Sequence, residues 1–532
     1  MRNSAGLLLK HRSAVKRSAW VLLSLFAVLA MICYLNFPLG YNQSIYHYVG
    51  SLLKDGRVPY RDFVDRKGPV GLLTYGLAGV LFGSSDMAYR VFDLLVLSSI
   101  GFCLFALLRR MFADVVAFFG AVLWFGHVLL DGPGNTGDVT NLIVLGVMIT
   151  ALLVEKKSDS RVFVLGTIAA AIAWVKPAAI LIVAPTLVYY VLIVDRNQQQ
   201  HAKLKDIGLM ASGFTLMSLL IIAYLYFTRS LRDFYEIFIL DSFSHYVPTS
   251  QLNLQHNLTG LGGWLLSDPV FRIGGLFGLL FLKSNQHDLW PYRLLVMGGL
   301  LAVMIESRFF PYHFSPILPF LPLGLIIGIQ RLTQREWSRF PFFSKQLTVT
   351  LAVCAIVLLA FAPLKLVAKD LRIIYQSNRT SPARAELFHL QDLNKWYRQR
   401  LGVLDILRPA VKADESLYIL GSDTGIYLAL DKRAHARHGN PAYVLYNFVE
   451  NSPPHRKRWR LEILKFVRES QVDWLVVNRE LFQHMDAEAR SSIQKVLDEG
   501  YFLTDDLQSN LVYKLRSEDH KLSAKLLLKL DL

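Results

Sequence analysis

The chain has 532 residues, of which 53% are apolar and 18% charged, and its formal net charge is +16. Soluble domains carry about 25% charged residues, and the mean hydropathy here is +0.35. These values exclude a wholly soluble globular protein and describe a membrane protein with a soluble portion. Cys33, Cys103 and Cys354 all lie inside apolar runs, which leaves no disulfide framework and no metal-ligand spacing.

The first apolar run, residues 20–40, follows Arg2, Lys10, Arg12, Lys16 and Arg17. About 20 apolar residues cross the hydrocarbon core, whereas a cleaved signal peptide has a shorter core and a small-x-small cleavage site. The sequence therefore predicts an uncleaved first span with residues 1–19 as a cytoplasmic tail. Further spans are predicted over 87–108, 112–130, 139–154, 162–176, 178–194, 207–228, 271–283, 293–306, 314–330 and 347–365, about eleven transmembrane helices in all. The stretch 70–83 is too short for a crossing and is expected to lie as a helix at the outer interface.

The loops between these spans alternate in charge. Those on the inside carry Arg109, Arg110, Lys156, Lys157, Arg161, Arg196, Lys203, Lys205, Lys283, Arg331, Arg335, Arg339 and Lys345, while the short outer loops 131–138 and 307–313 hold Arg308. This is the positive-inside bias, and it accounts for much of the basic balance without a nucleic-acid partner. The first outer loop, 41–86, breaks the rule. Its stretch "GRVPYRDFVDRKGPVG", residues 56–71, includes Arg61, Asp62, Asp65, Arg66 and Lys67.

A carboxylate near the bilayer is costly to desolvate unless it is paired or working. Asp62 and Asp65 are three apart, so a helical turn would put them on one face. Transfer of a group from a phosphate-linked lipid needs both signs of charge. The carboxylate takes a proton from the attacking hydroxyl, and Lys67, Arg61 and Arg66 neutralise the phosphate that leaves. The same pattern also fits a salt-bridged, solvated loop or cations resting against headgroups. A divalent cation would accept such hard oxygen ligands, but two carboxylates alone assign no metal and no cofactor.

The remaining candidates follow in chain order. Arg90 and Asp93 are placed as a structural ion pair. Asp138, after "GPGNTG", fits a site acid or the N-cap of the next span. Lys176, before Pro177, fits a snorkelling lysine or a second phosphate contact. The long outer loop 229–270 would cover an acceptor cleft. Arg308, Tyr312 and His313 could meet a donor phosphate or serve as interfacial belt residues, and Glu306 is expected to pair with Arg308. Residues 366–532 turn polar. Strands are predicted at "ESLYIL", "DWLVVN" and "NLVYKL", a helix at "LEILKFVRES", and a strand–turn–helix over 417–430. The odd span count puts this small α/β domain outside the membrane, and its Gly-Ser-Asp-Thr-Gly turn lacks the lysine of a phosphate loop.

Residues 45–95 resemble the first outer loop of bacterial GT-C membrane glycosyltransferases. The group in question is dolichyl-phosphate-mannose-protein mannosyltransferase-like, and includes the Rgt-type lipopolysaccharide core transferases and the aminoarabinose transferase of lipid A. Gly56, Tyr60, Asp62, Asp65, Lys67, Pro69, Leu81, Phe82 and Gly83 carry the match, with weaker likeness at "WVKPAA" and "RFFPYHFSPILPFLPL". The resemblance covers roughly 20–330. It implies a GT-C-like module over 20–365 in the bacterial inner membrane that inverts a sugar from a polyprenyl-phosphate donor onto a glycan, lipid A or protein hydroxyl. It puts Lys67 on the donor phosphate and leaves the extracytoplasmic domain 366–532 to assist an acceptor or partner. Where the group carries an Asp after the first span, this chain has Asn42 and Gln43. An amide can position a hydroxyl but cannot take its proton, so Asp62 first and Asp65 second become the candidate base. An inactive scaffold and a non-enzymatic transporter of lipid-linked sugars are the rival readings. A reporter fused after residue 366 should score as exterior in a membrane-topology assay; a cytoplasmic score would invert every loop placement above.

Overall fold

The computed structural model describes residues 2–83, 85–155, 158–193, 200–246, 253–282, 288–334, 345–377, 393–434, 436–445, 452–470, 472–507 and 509–516. Lys156, Lys157, Arg196, Lys283, Arg335 and Arg339 lie outside these residues. The chain forms two compact units, one of Met1–Phe37, Arg90–Ile221 and Pro248–Phe388, the other of Pro38–Tyr89, Ile222–Val247 and His389–Leu532.

The first unit is helical among its described residues. Its helices include Arg2–Leu35, Asp114–Leu130, Thr140–Leu153, Asp159–Val175, Ile180–Leu192, Leu254–Ser267, Pro269–Phe281, Trp290–Glu306, Leu321–Gln334 and Lys345–Ser377. Large apolar side chains face outward, Leu22 at 66%, Phe102 at 70% and Leu220 at 60% exposure, a surface that water would penalise and lipid accepts. The protein is a membrane protein. Helices meet through glycines: a Cβ on Gly278 would lie 1.9 Å from the Gly324 carbonyl oxygen, the close approach that small residues permit between membrane helices.

Most predicted spans overlap a helix, although 20–40 ends as a helix at Leu35 and 314–330 becomes α-helical only at Leu321, and the expectation of about eleven crossings is not confirmed. Arg17–Leu35, Asp86–Arg109 and Gln200–Phe227 are long and apolar enough to cross alone, and Leu254–Ser267 with Pro269–Phe281, bent by 108°, adds a fourth candidate. Asp114–Leu130 and Trp290–Glu306 have 17 residues each, about 25 Å at 1.5 Å per residue, short of the roughly 30 Å core. The boundaries also move. The expected tail is helical from Arg2, and the last helix runs on to Ser377. The long loop 229–270 is mostly helical, with Leu231–Phe234, a π-helical stretch Tyr235–Tyr246 and Leu254–Ser267; its residues 247–252 lie outside the described set.

The second unit opens with a helix that hydropathy did not mark, Tyr41–Lys54, and its neighbour Pro69–Phe82, the helix expected over 70–83. Pro69 sits at the first helical position after Gly68, where a missing N–H costs nothing. The unit also holds a four-stranded sheet, β1 Leu417–Leu420, β2 Trp474–Asn478, β3 Tyr501–Asp506 and β4 Asn510–Leu515, in the order β1-β2-β4-β3. β1 and β2 are parallel and almost wholly buried; the other pairs are antiparallel. β3 went unmarked because it is an edge strand with mostly exposed residues. The expected amphipathic helix is Pro454–Glu469.

Gly50 seals the contact between the first two helices of this unit. A Cβ there would come 2.7 Å from the Gly76 carbonyl oxygen and 2.8 Å from the Gly79 Cα. Gly50→Val should therefore destabilise by about 1–3 kcal/mol, the usual cost of overpacking, read as a lower Tm of the detergent-solubilised protein.

Candidate functional site

Between the helices Tyr41–Lys54 and Pro69–Phe82, residues 55–68 form no regular helix, so Asp62 and Asp65 do not share a helical face as expected. Tyr60 takes a left-handed backbone, φ 69°, which a bulky residue adopts at a cost. Its surroundings fix it there. The Tyr60 N–H donates to the Phe63 carbonyl at 2.7 Å, its hydroxyl donates to the Lys67 carbonyl at 2.7 Å, and its ring packs edge-on against Phe234. The Arg437 guanidinium donates to the Tyr60 carbonyl at 3.1 Å and to Asp233 at 2.7 Å. Val64 N–H in turn donates to the Arg437 carbonyl.

The two aspartates have different surroundings. Asp62 accepts from the Arg61 guanidinium at 2.6 and 2.9 Å and from the Val58 N–H at 2.8 Å. Burial acts to raise its carboxyl, but the Arg61 hydrogen bond and the Val58 N–H outweigh that and hold it below the usual carboxylate range. Asp65 is buried and accepts from the Lys67 N–H at 2.9 Å. Its charge, with those of Lys67 and Arg66, acts on the Tyr41 hydroxyl, which accepts from Asn440 at 2.7 Å. Asn42 is the next residue along that helix. The Lys67 ammonium stands 5.9 Å from the centre of the Tyr46 ring. Arg66 faces Asp241 at 3.7 Å. Asp241 has no exposed surface and also meets Arg456 at 3.2 Å and His455 at 3.4 Å.

The other predicted residues belong to the first unit. Asp138 accepts from the Thr140 N–H at 3.0 Å and hydroxyl at 2.8 Å, the capping arrangement. Lys176 donates to Glu306 at 2.5 Å, and His313 lies 3.4 Å from the same carboxylate. Glu306 thus turns to Lys176 and His313 rather than to Arg308 as expected; the left-handed Ser307, φ 52°, ends its helix and turns the chain before Arg308. Arg308 is half-buried, and its carbonyl meets the His313 Nδ1. Arg90 and Asp93 are linked through Tyr34, whose hydroxyl donates to Asp93 while accepting from Arg90. Among the described residues no group of three or more His, Cys, Asp or Glu is placed to hold a metal ion.

Several residues of the second unit's cluster escaped the sequence reading: Tyr41, Asp241, Arg437, Asn440, His455 and Arg456. One signal was present. "PPHRKRWR", residues 453–460, puts His455, Arg456, Lys457 and Arg458 in the first turns of a helix, where the dipole disfavours cations. Such a run implies an anion close by, and Asp241 is that anion for Arg456, as Glu236 is for Arg458.

Among solved structures, the chain is similar to ArnT from Cupriavidus metallidurans bound to undecaprenyl phosphate, with a TM-score of 0.57 and 12% identity over 94% of this chain and 98% of that one. The apo state of the same protein gives 0.58 and 14% over 93% and 98%. The fold is that of ArnT. An ArnT-like, GT-C-like architecture is what the first-loop resemblance implied. No family model and no curated protein matches the sequence. In this ArnT-like chain, Asp241→Asn removes the buried anion that Arg456 faces. Stripping one partner from a buried ion pair costs about 3–5 kcal/mol, so a loss of that order is expected in thermal or denaturant unfolding.

Proposed function

We propose that the protein is a membrane glycosyltransferase that moves a sugar from a polyprenyl-phosphate donor to an acceptor hydroxyl at the outer face of the inner membrane. One observation carries the reading. An ArnT-like fold over nearly the whole chain includes, at the start of the helix Pro69–Phe82, the acidic and basic loop whose residues match the GT-C pattern. The ArnT structure with undecaprenyl phosphate supports the donor class by analogy of fold. Acceptors remain a class: a hydroxyl on an envelope glycan, lipid A or protein.

In the proposed reaction the acceptor oxygen attacks the anomeric carbon and the bond from that carbon to the phosphate oxygen breaks. The electron pair leaves with the polyprenyl phosphate, and the configuration inverts. The acceptor proton passes to a carboxylate. Asp65 suits that role better than Asp62, reversing the order the sequence suggested. Asp62 has Arg61 and the Val58 N–H on its oxygens and a lowered proton affinity, which weakens a base. Asp65 is buried two residues before Lys67, its Oδ1 accepts from the Lys67 N–H, and its charge acts on the Tyr41 hydroxyl. Lys67 is the proposed contact for the leaving phosphate, where negative charge accumulates, with Arg66 and Arg61 adding to the local field. Tyr60 and Asn42 position the loop and the acceptor. Asp138, Lys176, Arg308 and His313 are proposed as supporting residues, through the cap at Asp138 and the Lys176–Glu306–His313 group.

Asn42 favours one rival, an inactive relative that serves as a scaffold. Substitution separates the two. Asp65→Asn is expected to lower transfer by roughly 10²–10⁴-fold, the usual worth of a general base. Lys67→Ala should lower it by about 10²–10³-fold, with partial rescue by Lys67→Arg. Comparing membrane glycolipids by mass at equal protein abundance reads the effect. Unchanged product in both variants would end the assignment, and no glycan difference on deleting the gene would favour the scaffold.

A further inference from the structure

Pro363 lies inside the helix Lys345–Ser377. A proline has no N–H, so the Leu359 carbonyl, four residues earlier, loses its helical donor. Leu359 is buried, and a buried carbonyl needs another partner. The imidazole of His127 supplies one, with its Nε2 standing 3.3 Å from that oxygen. The helix of His127 comes close at this point, since a Cβ on Gly126 would lie 2.9 Å from the Pro363 Cβ. A carbonyl can only accept, so Nε2 carries the hydrogen.

The other ring nitrogen faces a second acceptor. Nδ1 stands 2.6 Å from Oδ2 of Asp268, and the ring is stacked on Phe271 at 3.7 Å. The Asp268 contact does not have hydrogen-bond geometry, so it rests on charge. A neutral ring with its hydrogen on Nε2 would turn a bare lone pair to the carboxylate. The surrounding charges give the same answer. Arg272 pairs with Asp131 at 3.4 Å, lies over the Trp264 ring and donates to the Trp264 carbonyl at 2.6 Å. Two carboxylates, Asp131 and Asp268, thus share one guanidinium. The side chains of His127, Asp131 and Arg272 are each no more than 11% exposed, where an uncompensated charge is costly. Among the described residues, the neighbouring helices bring no further buried cation. Arg2–Leu35 carries none beyond Arg17, Leu321–Gln334 none before Arg331, and Lys365 of Lys345–Ser377 is exposed.

Asp268 is the single residue between Leu254–Ser267 and Pro269–Phe281, where the chain bends by 108°. The first arm of that bend holds the turn at Ser307. Asn257 Nδ2 donates to the Met304 carbonyl at 3.2 Å, the Ser307 hydroxyl donates to Asn257 Oδ1 at 2.6 Å, and Trp264 stacks on Phe314 at 4.2 Å. We propose that His127 is a proton-held latch on this bend. As an imidazolium it binds the carbonyl stranded by Pro363 through one nitrogen and the hinge carboxylate through the other. Losing one proton leaves Asp268 without its counter-charge, so the bend loosens as pH rises. An imidazole in water gives up that proton near neutrality. The closed state therefore binds one proton more than the open one and is favoured at lower pH. That the latch steadies Glu306, next to Ser307, for transfer rests on the transferase reading; the latch itself does not.

The test uses the purified full chain in nanodiscs, isotopically labelled at its histidine nitrogens for NMR. The His127 signals are those missing from His127→Gln. Both ring nitrogens should carry hydrogen at pH 6. Between pH 6 and pH 9 the hydrogen-exchange protection of Leu254–Ser267, corrected for intrinsic rates, should fall by up to about tenfold per pH unit, the limit for one proton. His127→Gln keeps a donor for Leu359 but loses the charge, so its protection should be lower at pH 6 and flat across the range. Asp268→Asn, at a partly exposed position, should flatten the profile too, and decides the matter if His127→Gln unfolds. A ring with hydrogen on only one nitrogen at pH 6, or wild-type protection that ignores pH, would overturn the proposal. A latch that titrates as described, in a protein whose deletion leaves membrane glycans unchanged, would stand while the transferase reading fell.

Discussion

Asp241 keeps a negative charge at a position without solvent, and the second unit is organised around supplying its counter-charges. Arg66 comes from the loop after the first helix of the unit, while Arg456 and His455 come from a helix of the C-terminal segment. A buried carboxylate is tolerated when cations and hydrogen bonds replace its water. Three stretches far apart in sequence therefore have to converge on one side chain. The same segment repeats the device at its edges, with Asp233 on Arg437 and Glu236 on Arg458.

This arrangement bears on the chemistry proposed for the loop. Charges on flexible loops in water are screened and their side chains wander. Here Arg61 is also bound to the Thr228 carbonyl, and Tyr60 is held on three sides. Asp65 and Lys67 are joined through the backbone between them. Preorganised dipoles and charges stabilise a transition state because they need not reorient as charge moves. The π-helical stretch and the helix Pro454–Glu469 thus set the electrostatics of the loop through Asp241, Arg456 and His455.

Much of this was legible in the sequence where one physical signal dominated. Apolar runs placed the helices of the first unit, the loop 56–71 stood out by its charge, and β1, β2 and β4 followed from their β-branched and aromatic residues. The misses have separate causes. The helix Tyr41–Lys54 mixes Asn42, Gln43, Ser44 and His47 with apolar residues and is stabilised by packing on glycines, which no hydropathy window registers. The expected crossing count goes unconfirmed because several helices, such as Asp114–Leu130 and Trp290–Glu306, are shorter than the hydrocarbon core. Glu306 was assigned a neighbour in sequence, whereas the left-handed Ser307 turns the chain and a lysine some 130 positions earlier takes its place. Arg437 and Asn440 gave no local hint, since their partners lie nearly 400 residues upstream.

The clasp of Arg437 on the Tyr60 carbonyl spans 377 positions of sequence. A ribosome adds residues at roughly 5–20 per second and domains settle in order of emergence, so the early loop is made well before its guanidinium exists. During that interval the left-handed tyrosine has no clamp and the acidic segment no basic helix to receive it. Nascent or prematurely terminated chains would hence lack the set geometry of this loop, which would arrive late, with the closing stretch of translation.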